Sequence, residues 1–173
     1  MEVALFEPRI PQNTGNIARS CAAFNIPLNL IEPLGFKLED KYLKRAGLDY
    51  WPLVDVSNYM NFDKFLASKS SKRIISFSKK NGIYLKDFKF QDDDVLLCGR
   101  EDSGLPDYII DKSDFLISIF MPNLEIGNIN QKGVRSLNLS VACGIAIYEA
   151  HKQINFQNGI QIQIMSYNIS RSR

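Results

Sequence analysis

Three observations predict an α/β fold with a mainly parallel sheet flanked by helices. Short apolar runs recur at Val3–Phe6, Leu28–Ile31, Arg73–Ser78, Val95–Cys98 and Leu116–Ile119, and they read as strands buried inside a sheet. Helical-period segments or long connections separate them, as parallel neighbours require. Polar or glycine-rich turns follow three of the runs, beginning near Phe77, Gly99 and Ile119. In such folds ligands gather at the carboxyl ends of the strands.

The first strand, Val3-Ala4-Leu5-Phe6, is stopped by Glu7-Pro8. The turn formers of Arg9 to Asn16 then lead to a helix whose apolar face is marked by Ile17, Cys21 and Phe24, with Arg19 off that face near the helix start. After the strand Leu28–Ile31, a short helix is expected over Asp40–Gly47, with Lys41, Lys44 and Arg45 on one face and Tyr42, Tyr50 and Trp51 close by. Cations interleaved with aromatics suit phosphate contacts and base stacking, and a solvated basic face is an equally ordinary outcome.

Leu53–Val56 reads as a further strand and Phe62–Ala67 as a short helix. Past Val95–Cys98, the loop Gly99 to Gly104 leads to Leu105-Pro106, where proline suits the first turn of a new helix. The last element is a helix opened by Ser136 or Asn138, either able to accept a hydrogen bond from its first N–H groups. Leu139, Cys143, Ala146 and Ala150 recur at helical spacing, Val141, Ala142, Ile145 and Ile147 fill most of the other faces, and the helix is apolar nearly all round up to Gln153. A helix with that much apolar surface predicts a homodimer whose interface includes Asn138 to Gln153, with Ala146 and Ile147 as test positions.

With 173 residues, 45% hydrophobic and 23% charged, the chain has material for one core. Residues 1–154 are read as a single domain and 155–173 as a tail. A net charge of +2 is too small to indicate nucleic-acid binding by itself, so local clusters would have to supply it. Cys21, Cys98 and Cys143 are odd in number, far apart and set in apolar runs, which fits reduced core cysteines of a cytoplasmic protein. No C-x-x-C occurs and His151 is the only histidine, so no metal site is indicated. No run of about 18 apolar residues is present, and neither a membrane span nor a signal peptide is expected.

The Gly99–Gly104 loop lacks the Lys-Ser/Thr of a P-loop, and no G-x-G-x-x-G follows a strand. Three strand-end loops can nevertheless converge on one small ligand and read it largely with main-chain groups. From the residues alone, a nucleotide-like ligand site and an α/β domain without one both remain open.

Five ordered motifs narrow this: Pro11-x-Asn13-Thr14-Gly15-Asn16-Ile17-x-Arg19, Ile31-Glu32-Pro33-Leu34-Gly35-Phe36, Arg45-Ala46-Gly47-Leu48-Asp49-Tyr50, Gly99-x-Glu101-x-x-Gly104-Leu105-Pro106 and Arg135-Ser136-Leu137-Asn138-Leu139-Ser140. Together they resemble the SPOUT superfamily of methyltransferases, in particular its small tRNA wobble cytidine/uridine 2′-O-ribose methyltransferases, over residues 2 to 154. The resemblance implies a C-terminal trefoil knot, S-adenosyl-L-methionine as cofactor, tRNA as substrate and an obligate homodimer. Carried over by position, cofactor contacts fall at Phe77, Gly99, Ile119 and Ser136, and catalytic positions at Arg19, Glu101, Ser136 and Asn138. The pKa of arginine lies above about 12, so alkoxide stabilisation and phosphate holding suit Arg19 better than general-base work.

The chain departs from that family in four places. Ile119-Phe120-Met121-Pro122 stands for the usual Ile-Pro-Met, Val141 for a common asparagine and Arg100 for a common proline, while the loop 122–134 is longer. They motivate a rival reading, a knotted RNA-binding protein that holds the cofactor without turnover, beside methylation at another tRNA or rRNA site.

Overall fold

The computed structural model describes residues 1–38, 50–79, 82–122 and 133–157. The basic helix expected at Asp40–Gly47, much of the loop 122–134 and the tail beyond residue 157 lie outside the described residues.

Among the described residues seven strands form one sheet: β1 (Glu2–Phe6), β2 (Leu28–Ile31), β3 (Val56–Tyr59), β4 (Ile74–Phe77), β5 (Ile83–Tyr84), β6 (Val95–Cys98) and β7 (Phe115–Ser118). Their order is β3-β2-β1-β6-β4-β7-β5 and every pairing is parallel. Among the described residues the α-helices are α1 (Pro11–Phe24), α2 (Phe62–Ser68), α3 (Asp107–Ile110) and α4 (Leu139–Gln157).

Strand alternation divides the core. Val3, Leu5, Leu28, Leu30, Ile75 and Leu96 face α1 and α4, where Ile17, Cys21, Cys143, Ala146, Ile147 and Ala150 meet them. The intervening Ala4, Phe6, Ile31, Ile74, Val95 and Leu97 face the opposite way, onto Phe62, Phe65 and Ile109 of α2 and α3. Covered on both faces, the central strands need no polar side, which explains why they appear in the sequence as unbroken apolar runs.

Several boundaries differ from the sequence reading. Helix α1 begins at Pro11, so most of the expected loop Arg9–Asn16 is helical. Proline occupies the first turn, where its missing N–H costs nothing. Asn25, in the left-handed region at φ 51°, ends the helix. Trp51–Leu53 is a single 3-10 turn with Pro52 inside it, and this pushes the third strand from Leu53–Val56 to Val56–Tyr59. Helix α4 runs to Gln157, past both Gln153 and the expected domain end at 154.

The capping of α4 falls to Asn138 and not to Ser136: its Oδ1 accepts the Ser140 N–H at 2.8 Å and the Val141 N–H at 3.4 Å. Ala146 and Ile147 also depart from expectation, since both are completely buried in the subunit's own core. The exposed apolar face of α4 is instead Val141, Ile145 and Tyr148, at 51%, 39% and 61% exposure.

The three cysteines are free and buried, as expected. They belong to one core cluster joining α1, β6 and α4. Burial pushes the Cys21 thiol up to about 12. A hydrogen bond with Cys98, together with burial, holds Cys143 well above the usual thiol range.

Candidate active site

The chain runs from β1 out to β2 and β3 on one side, then returns to build β4 to β7 on the other. Near this switch point, at the carboxyl ends of β4, β6 and β7, lies a cavity of about 420 Å³. It collects six of the seven expected site residues: Phe77, Gly99, Glu101, Ile119, Ser136 and Asn138.

Gly99 is fixed by a close approach of backbone to backbone. Arg100 and Gly104 exchange N–H···O bonds of 3.2 and 2.9 Å and close the loop into a tight bridge, with Gly104 at φ 72°. A Cβ on Gly99 would sit 2.3 Å from the Gly104 carbonyl carbon and 2.4 Å from the Leu105 nitrogen. Only glycine fits there, and the turn aims the Glu101 carboxylate back across the sheet towards the loop after β1. Its Oε2 accepts the Arg9 N–H at 2.8 Å, and Oε1 accepts the Ile10 N–H and the Asn13 side-chain amide, both at 3.1 Å.

Asn13 continues the connection, its Oδ1 accepting from Asn138 Nδ2 at 3.0 Å. A single relay, Glu101–Asn13–Asn138, thus ties the β6 turn, the start of α1 and the N-cap of α4 into one wall of the cavity. Asn13 is 5% exposed and, though part of the first motif, is not among the expected site residues. Its signal was Pro11: proline at the first helical position places Asn13 in the first turn of α1, beside the β1 strand end.

Charge at the rim is internally balanced. The Glu7 carboxylate pairs with Arg9 at 2.8 Å and Arg100 at 3.5 Å, and Arg100 also reaches Asp102 at 2.8 Å. The hydrogen bonds from Arg100 and Ser103 hold the Asp102 carboxyl well below the usual range. These arginines are therefore engaged, while Lys79 contributes an exposed ammonium to the lining.

Arg19 is the expected residue that the structure does not bring to the cavity. Because α1 starts at Pro11, Arg19 lies eight residues in, about 12 Å along the axis rather than at the helix start. Its guanidinium stands 4.6 Å over the Tyr50 ring and donates to the Tyr50 hydroxyl at 3.1 Å.

The lining is chemically mixed. Leu105, Ile119, Leu137, Leu139 and Ala142 supply apolar wall, and Ser136, Asn138 and the strand-end backbone supply polar groups. This mixture and size suit a molecule of nucleoside dimensions that carries both apolar and polar groups.

Residues 1–148 match the model of the SpoU rRNA Methylase family. The chain belongs to the SpoU methylase family. It is 40% identical over 154 residues to a protein of Saccharophagus degradans named tRNA (cytidine(34)-2′-O)-methyltransferase, covering 89% of this chain and 96% of that one. A solved structure described as giving insights into 2-OH methylation of C/U34 on tRNA superimposes with a TM-score of 0.80 at 43% identity, over 88% of this chain and 94% of that one. The SpoU methyltransferase AviRb of Streptomyces viridochromogenes, solved with AdoMet, shares the fold at a TM-score of 0.74 and 21% identity, over 88% of this chain and 57% of that one.

Among the described residues no helix is long and apolar enough to cross a membrane. Among the same residues no group of three or more His, Cys, Asp or Glu could hold a metal ion.

Proposed function

We propose that this chain is a tRNA methyltransferase that moves a methyl group from S-adenosylmethionine to the ribose 2′-hydroxyl of the wobble nucleotide, cytidine or uridine 34. The convergence of three strand-end turns and the α4 N-cap on one cavity of nucleoside size carries this reading. The names of the Saccharophagus degradans protein and of the solved structure support the ribose and the position.

The donor set fits the cofactor. Ile119, Leu137 and Leu139 offer an apolar slot for the adenine, and the backbone at Phe77 and Gly99 with the Ser136 hydroxyl offers polar contacts to the rest. When bound, S-adenosylmethionine supplies an electrophilic methyl on a sulfonium. The protein's own contribution is to exclude water, fix the hydroxyl in line and stabilise charge developing on its oxygen.

Glu101 and Asn138 act as positioning residues through Asn13, because the Glu101 carboxylate already accepts three N–H groups. Arg19 is the residue that stabilises the alkoxide and holds phosphate. Lying apart from its own subunit's cavity, it is supplied to the partner's in a homodimer formed across Val141, Ile145 and Tyr148. The same reading takes residues 1–154 as one methyltransferase domain with a C-terminal trefoil knot, residues 155–173 as its tail, and the cytoplasm as its location, where tRNA is found.

Incubation with methyl-labelled S-adenosylmethionine and bulk tRNA should yield 2′-O-methylcytidine or 2′-O-methyluridine. Retention of tRNA without transfer would favour a binding protein instead. Arg19→Ala should abolish transfer while cofactor affinity in calorimetry changes little, and a collapse of cofactor binding would refute the role given to Arg19.

A further inference from the structure

At the rim of the cavity the chain holds an aromatic corner. Ile119 and Met121 both line the cavity, and Phe120 between them is turned outward with 64% of its surface exposed. Tyr84, at the end of the edge strand β5, is 47% exposed and meets it. The two ring centroids are 5.7 Å apart and the planes stand at 89°. Large apolar side chains exposed in company beside a cavity mark a surface that binds something.

The corner is built on the sheet. Tyr84 pairs in register with Ser118, the last residue of β7, and Phe120 follows two residues past that strand end, so the β5–β7 pair sets both rings side by side. Perpendicular walls suit a single flat ring: stacked on one wall, it turns its edge to the face of the other, and both arrangements are favourable between π systems. Lys79 adds an exposed cation to the same cavity lining.

We infer that Tyr84 and Phe120 stack an unpaired base of the RNA substrate, next to the nucleotide whose ribose enters the cavity. The inference rests on the RNA-methylating function proposed above. A base suits the corner better than a protein helix because two perpendicular rings offer a face and an edge contact to one flat ring. The residues on either side of Phe120 line the cavity, so a base held there lies next to the nucleotide whose ribose enters it. Aromatic stacking beside a cation is the ordinary way of holding unpaired nucleic acid.

The test is a titration of an anticodon stem–loop carrying 2-aminopurine beside nucleotide 34, using wild type, Phe120→Ala, Tyr84→Ala and Phe120→Trp. Wild type should quench the 2-aminopurine fluorescence. Each alanine variant should bind about tenfold more weakly and lose most of the quench, and Phe120→Trp should restore both. All four proteins should melt alike, since the rings are exposed, and bind S-adenosylmethionine equally in calorimetry. Unchanged RNA affinity and quench in both alanine variants would overturn the inference. So would weakened cofactor binding, or dissociation of an oligomer, as the sole effect, because the corner would then serve the cofactor or a second copy. The two ideas fail differently: wild-type methyl transfer with indifferent alanine variants sinks the corner alone, whereas a wild type that neither binds nor methylates tRNA sinks the underlying function.

Discussion

The geometry of the cavity depends on a few residues that have no tolerance for change. Gly99→Ala would place a methyl group within 2.3–2.4 Å of two backbone atoms that have nowhere to move. We expect a loss of about 1–3 kcal/mol in stability and a larger proportional loss of cofactor affinity, read by thermal melting and calorimetry. Glu101→Gln would set an amide N–H₂ against at least one backbone N–H, leaving a donor unpaired. A loss of about 1–3 kcal/mol is expected, and unchanged melting would show that the relay does not hold the wall. Ser136→Ala should lower cofactor affinity with little change in melting, because Asn138 rather than Ser136 caps the helix. A large drop in melting temperature would contradict that division of labour.

At the scale of elements, the two long helices show what the sequence could and could not reveal. The inner strands were legible because burial on both faces leaves them mostly apolar, as in Val3–Phe6 and Val95–Cys98. Strand β5 was not, since it is two residues long and both Ile83 and Tyr84 are exposed. The start of α1 was hidden because Asn13, Thr14, Gly15 and Asn16 are poor helix formers; tertiary contacts override that preference, three of the four being buried. The site was half legible. The turns after apolar runs placed Phe77, Gly99 and Ile119 at strand ends and the last motif placed Ser136 at a helix start, but no spacing rule could show that Asn138 reaches Asn13, 125 residues away. Helix α4 was legible as an element, and its two apolar faces were not distinguishable until the sheet took one of them. That distinction is testable: Ala146→Glu should bury a charge in the core and cost several kcal/mol, whereas Ile145→Glu should leave the subunit folded. If the exposed stripe joins two copies, Ile145→Glu should also give monomers in light scattering with little activity, and a dimer indifferent to the change would remove the stripe from the interface.

For the molecule as a whole, the end of the sheet opposite the cavity is held by charge. Glu2, 7% exposed at the start of β1, bonds to Lys69 at 2.6 Å, to Lys72, and to Asn29 Nδ2 at 2.9 Å. Burial alone would raise its pKa, but the bonds from Lys69, Lys72 and Asn29 outweigh burial and bring it from the ordinary 4.5 down to about 2. Because the folded value lies below the unfolded one, this contribution is complete above pH 4.5 and is lost as pH falls from there towards 2. Glu2→Gln should therefore lower stability near neutrality and flatten the acid limb of the stability curve, and a variant with the wild-type acid profile would refute it.

The same sheet presents its cavity at the far end, where the proposed chemistry requires one particular hydroxyl. The most direct measurement uses a tRNA made in two forms, identical except that nucleotide 34 carries either a ribose or a 2′-deoxyribose, each incubated with the protein and methyl-labelled S-adenosylmethionine. Label incorporated into the ribose form and absent from the deoxy form is the predicted result. Equal incorporation into both would show that the methyl group goes to another atom or another nucleotide, and would contradict the proposed reaction.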